Sequence, residues 1–189
     1  MTKLVKLGLA SVLTASTLFG GTYNVDSSHS NVGFKVKHMM ITNVSGNFDN
    51  FTGSFEYDEK TNTLQSLNGT VEVSSINTSN EKRDKHLKES DFFAAKKYPQ
   101  ITFDLDKIEN DKAYGKLTMR GVTKNVVLDV ETNGTIKDPW GNTRAAFLLE
   151  GKINRMDYGI KYNSVLEAGG VAVGEKVNLI VELQGILKK

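Results

Sequence analysis

Eight stretches of this chain alternate apolar and polar residues with a period of two, the pattern of strands with one buried and one wet face. Val32, Phe34 and Val36 alternate with Gly33, Lys35 and Lys37. Phe51, Phe55 and Tyr57 alternate with Thr52, Ser54 and Glu56. Leu67, Val71 and Val73 open the third run, Ile101, Phe103 and Leu105 the fourth, and Leu117 and Met119 the fifth. Val126, Leu128 and Val130 follow, then Phe147, Leu149 and Ile153, and last Val177, Leu179, Val181 and Leu183. Antiparallel sheets carry this signature. Turn residues separate the runs: Asp58 to Asn62, Glu109 to Asp111, Asn133-Gly134, and Asp138 to Asn142. Short links make sequence neighbours pair in space. A sheet of this length with one apolar face curls and closes, which removes its edges. The expectation is an all-β, eight-stranded antiparallel up-and-down barrel, with a two-sheet sandwich as the alternative.

One connection breaks the rhythm. From Thr70 to Phe103 the chain reads TVEVSSINTSNEKRDKHLKESDFFAAKKYPQITF, far longer than the usual two to six residues between strands. Ser79 or Asn80 can cap a helix with Glu81 in its first turn. That helix runs to about Leu87 or Ser90, a second turn covers Asp91 to Lys97, and Pro99 stops it. This is a short helical flap, with Phe92 and Phe93 as its anchors on the barrel.

The first 21 residues read as an address. Lys3 and Lys6 give a positive start, Leu7 to Leu13 is apolar, and small residues follow. That is the layout of a secretory signal peptide, and the apolar run falls short of the roughly 20 residues that span a bilayer. The expected organisation is a leader over 1–21 and one domain over 22–189. The leader lysines account for the whole excess of 24 basic over 22 acidic residues, so no basic stripe points to nucleic acid. With no cysteine, disulfides and thiolate metal sites are out of reach.

An eight-stranded barrel is just wide enough to be filled by side chains or to hold one slim ligand. The inward register comprises Val32, Phe34, Val36, Phe51, Phe55, Val71, Val73, Ile101, Phe103, Leu117, Met119, Leu128, Phe147, Leu149, Leu179 and Val181. His38 shares the parity of Val36 and is the polar candidate at a strand's end. This wall is apolar, so the ligand it suits is a long-chain lipid. Ten buried methylenes at about 0.8 kcal/mol each give roughly 8 kcal/mol before entropic costs. Gly53, Gly69, Gly115 and Gly151 also fall inward. They either open a tunnel or merely let the strands bend, and the sequence leaves both readings open. No Gly-x-Ser-x-Gly elbow, P-loop or dinucleotide fingerprint is present. His86 and Glu89 share a helix face, but a solvated face is the simpler reading. No catalytic residue, metal or cofactor is assigned.

Four segments are distinctive together: YNVDSSHSNVGFKVKH (Tyr23–His38), SINTSNEKRDKHLKESDFF (Ser75–Phe93) with YPQITF after it, GKLTMRGVTKNVVL (Gly115–Leu128) and KINRMDYGI (Lys152–Ile160). In these the chain resembles the YceI-like family of periplasmic, lipocalin-like, polyisoprenoid-binding proteins. The resemblance implies a barrel whose apolar channel holds an isoprenoid or isoprenoid-quinone-like tail, export to the periplasm, a homodimer as one compatible state, and no established catalysis. Some relatives accommodate fatty-acid-like amphiphiles instead. An enzyme or stress protein acting on such a lipid is the alternative function.

Overall fold

The computed structural model describes residues 20–164 and 169–189. The expected leader falls almost wholly outside them. Among these residues the fold has eleven strands and one α-helix: β1 (Gly21–Val25), β2 (Asn31–His38), β3 (Thr42–Phe48), β4 (Phe51–Asp58), β5 (Thr63–Glu72), β6 (Ile76–Asn77), α1 (Glu81–Leu87), β7 (Gln100–Glu109), β8 (Lys112–Met119), β9 (Val122–Lys137), β10 (Thr143–Asn154) and β11 (Val173–Leu187). Every pairing is antiparallel. The ring β1-β4-β5-β7-β8-β9-β10-β11 closes through β1 on β11.

Eight staves nevertheless carry eleven strands, because three staves are broken. β1 and β2 lie in succession along β11. β3 pairs with β2 and β4 with β1, while β5 pairs with β4 and β6 with β3. The first break has a clear chemical cause. Asp26 caps a 3-10 turn at Ser27–His29, accepting from the Ser28 amide at 3.1 Å. His29 Nδ1 sits 2.9 Å from the same carboxylate. Arg144 then donates to Asp26 (2.7 Å) and to Asp138 (2.8 Å), binding the kink to the β9–β10 turn.

Hydrogen bonds from Ser28 and then Arg144 hold the Asp26 carboxyl well below the usual carboxylate range. Burial alone would raise Asp138, but bonds from Arg144, Asn142 and the Trp140 amide outweigh it and bring it down to about 2. Both folded values lie below the unfolded value near 3.9. The stability they contribute is therefore present above about pH 4 and lost as pH falls toward 2 and lower. Urea midpoints of the native protein are expected to drop across that window, and those of Arg144→Met to drop less, since Ser28 still bonds to Asp26. Equal slopes would show that Arg144 adds nothing to this coupling.

The barrel has two cores. At its base, Tyr23 stacks on Phe55 with centroids 5.2 Å apart, and Phe55 meets Phe147 edge-on at 4.9 Å. Tyr57, Leu64, Ala113 and Ala145 complete this plug. The two phenols of this plug are not left bare: Tyr23 donates to Glu59 at 2.7 Å and Tyr57 to Asn62 at 2.5 Å. The upper core gathers Phe48, Val73, Ile76, Ile101, Leu117, Met119, Ile153 and Tyr158 under the flap.

The flap begins with Asn80, which caps α1 by accepting from the Arg83 amide at 3.0 Å. Arg83 and Asp84 then close around Thr78, with Arg83 Nε donating to its hydroxyl at 2.7 Å and Asp84 accepting its amide at 2.9 Å. Beyond α1 the chain continues as turns to Pro99. Among the described residues no helix is long and apolar enough to cross a membrane.

Candidate functional site

A cavity of about 200 Å³ lies within the barrel and is walled by residues of both cores. The period-two register of the staves aims their side chains at it. Val32, Phe34, Val36, Phe51, Val71, Ile101, Phe103, Leu117, Met119, Leu128, Leu149, Leu179 and Val181 all stand in its wall. Four residues of the expected register do not. Phe55 and Phe147 face inward but fill the base plug. Val73 has left the sheet and starts a 3-10 turn in the upper core. His38, opposite Thr42 and Val173 at the end of β2, stays outside the wall.

Other lining residues escaped the sequence reading. Leu67, Ile153, Val177 and Leu183 share the parity of their inward neighbours and stand in the wall with them. Phe48 sits on β3, a strand too polar to announce itself. Leu87, Phe92 and Phe93 come from the flap, so the flap forms part of the wall. Phe93 meets Phe48 edge-on at 6.0 Å, and Phe92 packs with Tyr162 at 4.7 Å. His86 stands edge-on to both Phe92 and Tyr162, with Nε2 2.8 Å from Asp91. No grouping of His, Asp and Glu suited to a metal occurs among the described residues.

The inward glycines divide. A side chain at Gly115 would collide with the ring of Phe103, and one at Gly151 with Leu128, so these two make room for neighbours. A Cβ at Gly53 would lie 2.7 Å from the Asn68 carbonyl. Gly69, paired with Gly53 across β4 and β5, differs: a Cβ there meets nothing within 4 Å. It opens onto the cavity, between Leu67 and Val71 on its own strand.

Arg155 is the charged member of the wall, and the sequence reading did not single it out. It is 4% exposed. Its guanidinium donates to the carbonyls of Ile160 (2.6 Å), Gly174 (2.8 Å) and Val173 (3.1 Å). Burial lowers its pKa from the ordinary value, and the charge of Glu175 offsets part of that. Carbonyl dipoles thus stand where a carboxylate would, and the cation is spent on stitching the turn after β10 to the start of β11. Arg120 does similar work higher up. It donates to Gly159 O at 2.9 Å and, in the flap, to Ser90 O at 2.8 Å.

A closed antiparallel barrel with an apolar pocket under a helical flap is the build of a lipocalin-like binding barrel. Comparison with known proteins narrows the class. The YceI-like domain model matches residues 23–185, and the chain belongs to the YceI-like family. It is 40% identical over 156 residues to a UPF0312 protein of Staphylococcus aureus strain N315, covering 82% of this chain and 91% of the relative. The crystal structure of a Campylobacter jejuni YceI protein is 38% identical, with TM-score 0.69 over 87% of this chain and 96% of that one. A polyisoprenoid-binding domain from Saccharophagus degradans, implicated in plant cell wall breakdown, shares the fold at 14% identity, with TM-score 0.66 over 88% of this chain and 98% of its own.

Proposed function

We propose that this protein binds the apolar chain of one amphiphilic lipid inside its barrel and carries or sequesters it, without chemistry of its own. The observation that carries this reading is the cavity wall. Among the described residues its one charged side chain, Arg155, is already engaged by three carbonyls. A water needs two to four polar partners to be held, and this wall offers it few. A hydrocarbon loses nothing there and gains about 0.8 kcal/mol for each methylene it removes from water.

Size favours a slim tail. A dry cavity of about 150 Å³ accepts benzene, so about 200 Å³ takes a short run of chain in single file. A longer tail is accommodated by displacement of Leu87, Phe92 and Phe93, since these belong to the flap and not to a stave. The isoprenoid class is supported by family membership and by the S. degradans domain. The periplasm is supported by the leader pattern over residues 1–21 and by family membership.

Native mass spectrometry of the protein purified from its own host is the test. The expected spectrum shows a mass increment of a single lipid, recovered by organic extraction as a long-chain apolar compound. A spectrum of bare protein, together with no uptake of an added isoprenoid, overturns the reading.

A further inference from the structure

The turn between β2 and β3 carries residues that a hairpin turn ordinarily avoids. Met39 and Met40 take left-handed backbone, with φ +48° and +64°, where glycine or asparagine is the usual occupant. Three successive apolar side chains stand out at this tip: Met39 is 47% exposed, Met40 59% and Ile41 84%. Val171, 36% exposed, adjoins them. The Met39 amide donates to the Ala172 carbonyl at 2.8 Å, and the Met40 side chain lies over Gly170. Contiguous apolar surface on a soluble fold marks a place of contact.

Two further observations say what the contact is. The patch runs into the cavity wall. Val36 on one side and Val173 on the other line the cavity, and Val173 pairs with His38 just below the tip. The exposed charges of the segments that meet at this end include Lys37, which lies against Gly174, and Lys161, two residues before the Asn163 that bonds to the Val173 carbonyl, while the exposed Glu175 interacts with the charge of Arg155. An apolar tip flanked by lysines is the composition of an interfacial anchor on anionic lipid. The geometry points to docking of this end of the barrel on an anionic bilayer, with Ile41 and the two methionines entering the headgroup layer. The inference rests on the carrier reading above. It gives a tail a route between bilayer and cavity that does not cross water.

The chain has a built-in control. Its single tryptophan, Trp140, is 80% exposed in the β9–β10 turn at the opposite end. The experiment is flotation with vesicles of phosphatidylcholine plus phosphatidylglycerol, and of phosphatidylcholine alone. The native protein is expected to float with the anionic vesicles, less so at high salt, with Trp140 emission unmoved. Ile41→Asp and, separately, Met40→Gln are expected to weaken binding, Ile41→Asp by roughly tenfold or more.

Flotation of Ile41→Asp equal to the native protein overturns the docking. So does a blue shift of Trp140, which would put the other end on the membrane. A native dimer that Ile41→Asp converts to monomer, with no flotation by either, overturns it too by assigning the patch to a second copy. An apolar fluorescent probe added from ethanol separates the two readings. Uptake without flotation defeats the docking alone, and flotation without uptake defeats the carrier reading alone.

Discussion

Replacing Gly69 with phenylalanine is expected to weaken tail binding a hundredfold or more and leave the barrel folded. The position is free for a side chain: its backbone is not left-handed, and a Cβ would meet nothing within 4 Å. Leu67 and Val71 on the same strand point into the cavity, so the new ring points there as well. If about 150 Å³ houses benzene, one phenyl takes most of about 200 Å³. Excluding about four methylenes removes roughly 3 kcal/mol, a loss of a hundredfold or more in affinity. Filling an apolar void leaves stability level or raises it. Titration with a fluorescent polyene lipid, beside a urea melt, reads both quantities. Native affinity in Gly69→Phe would place the tail elsewhere. Gly53 would be a poor choice for the same test, because its Cβ would press on the Asn68 carbonyl at 2.7 Å.

Phe55→Ala is expected to do the reverse. Phe55 is 1% exposed, stacked on Tyr23 and edge-on to Phe147, with its ring over Gly185. Truncating a buried phenylalanine costs about 3–5 kcal/mol, a large share of the roughly 5–15 kcal/mol that holds a domain together. The urea midpoint should fall accordingly. Phe55 lies outside the cavity wall, so the fraction that stays folded should bind the polyene lipid with native affinity. A loss of affinity as large as that of Gly69→Phe would mean that the base plug is part of the ligand site.

The two variants also mark where the sequence could be read. Alternation told which face of each stave turns inward, and the closed antiparallel barrel followed from it. Alternation could not tell how far along a stave the void extends. Phe55 and Phe51 share a strand and a parity, yet one seals the base and the other lines the cavity. That depends on which rings meet across the barrel, which is long-range information. β3 went unread because only Val44 and Phe48 are large and apolar among its seven residues. Its inward Gly46 yields its space to the Phe34 ring. Arg155 was invisible as a wall residue, since nothing local announces that three carbonyls will replace a carboxylate. The helical flap was legible from its cap, its phenylalanine pair and its proline, but its share in the cavity wall was not.

Arg120 carries a consequence for how the upper end can move. Its guanidinium reaches Ser90 in the flap and Gly159 in the turn after β10, while its Nε is buried without a partner. Two pieces of the lid thus hang from one latch. If that latch slips, the flap loses a tether while the turn stays stitched to β11 by Arg155, so the flap is the piece left free to lift.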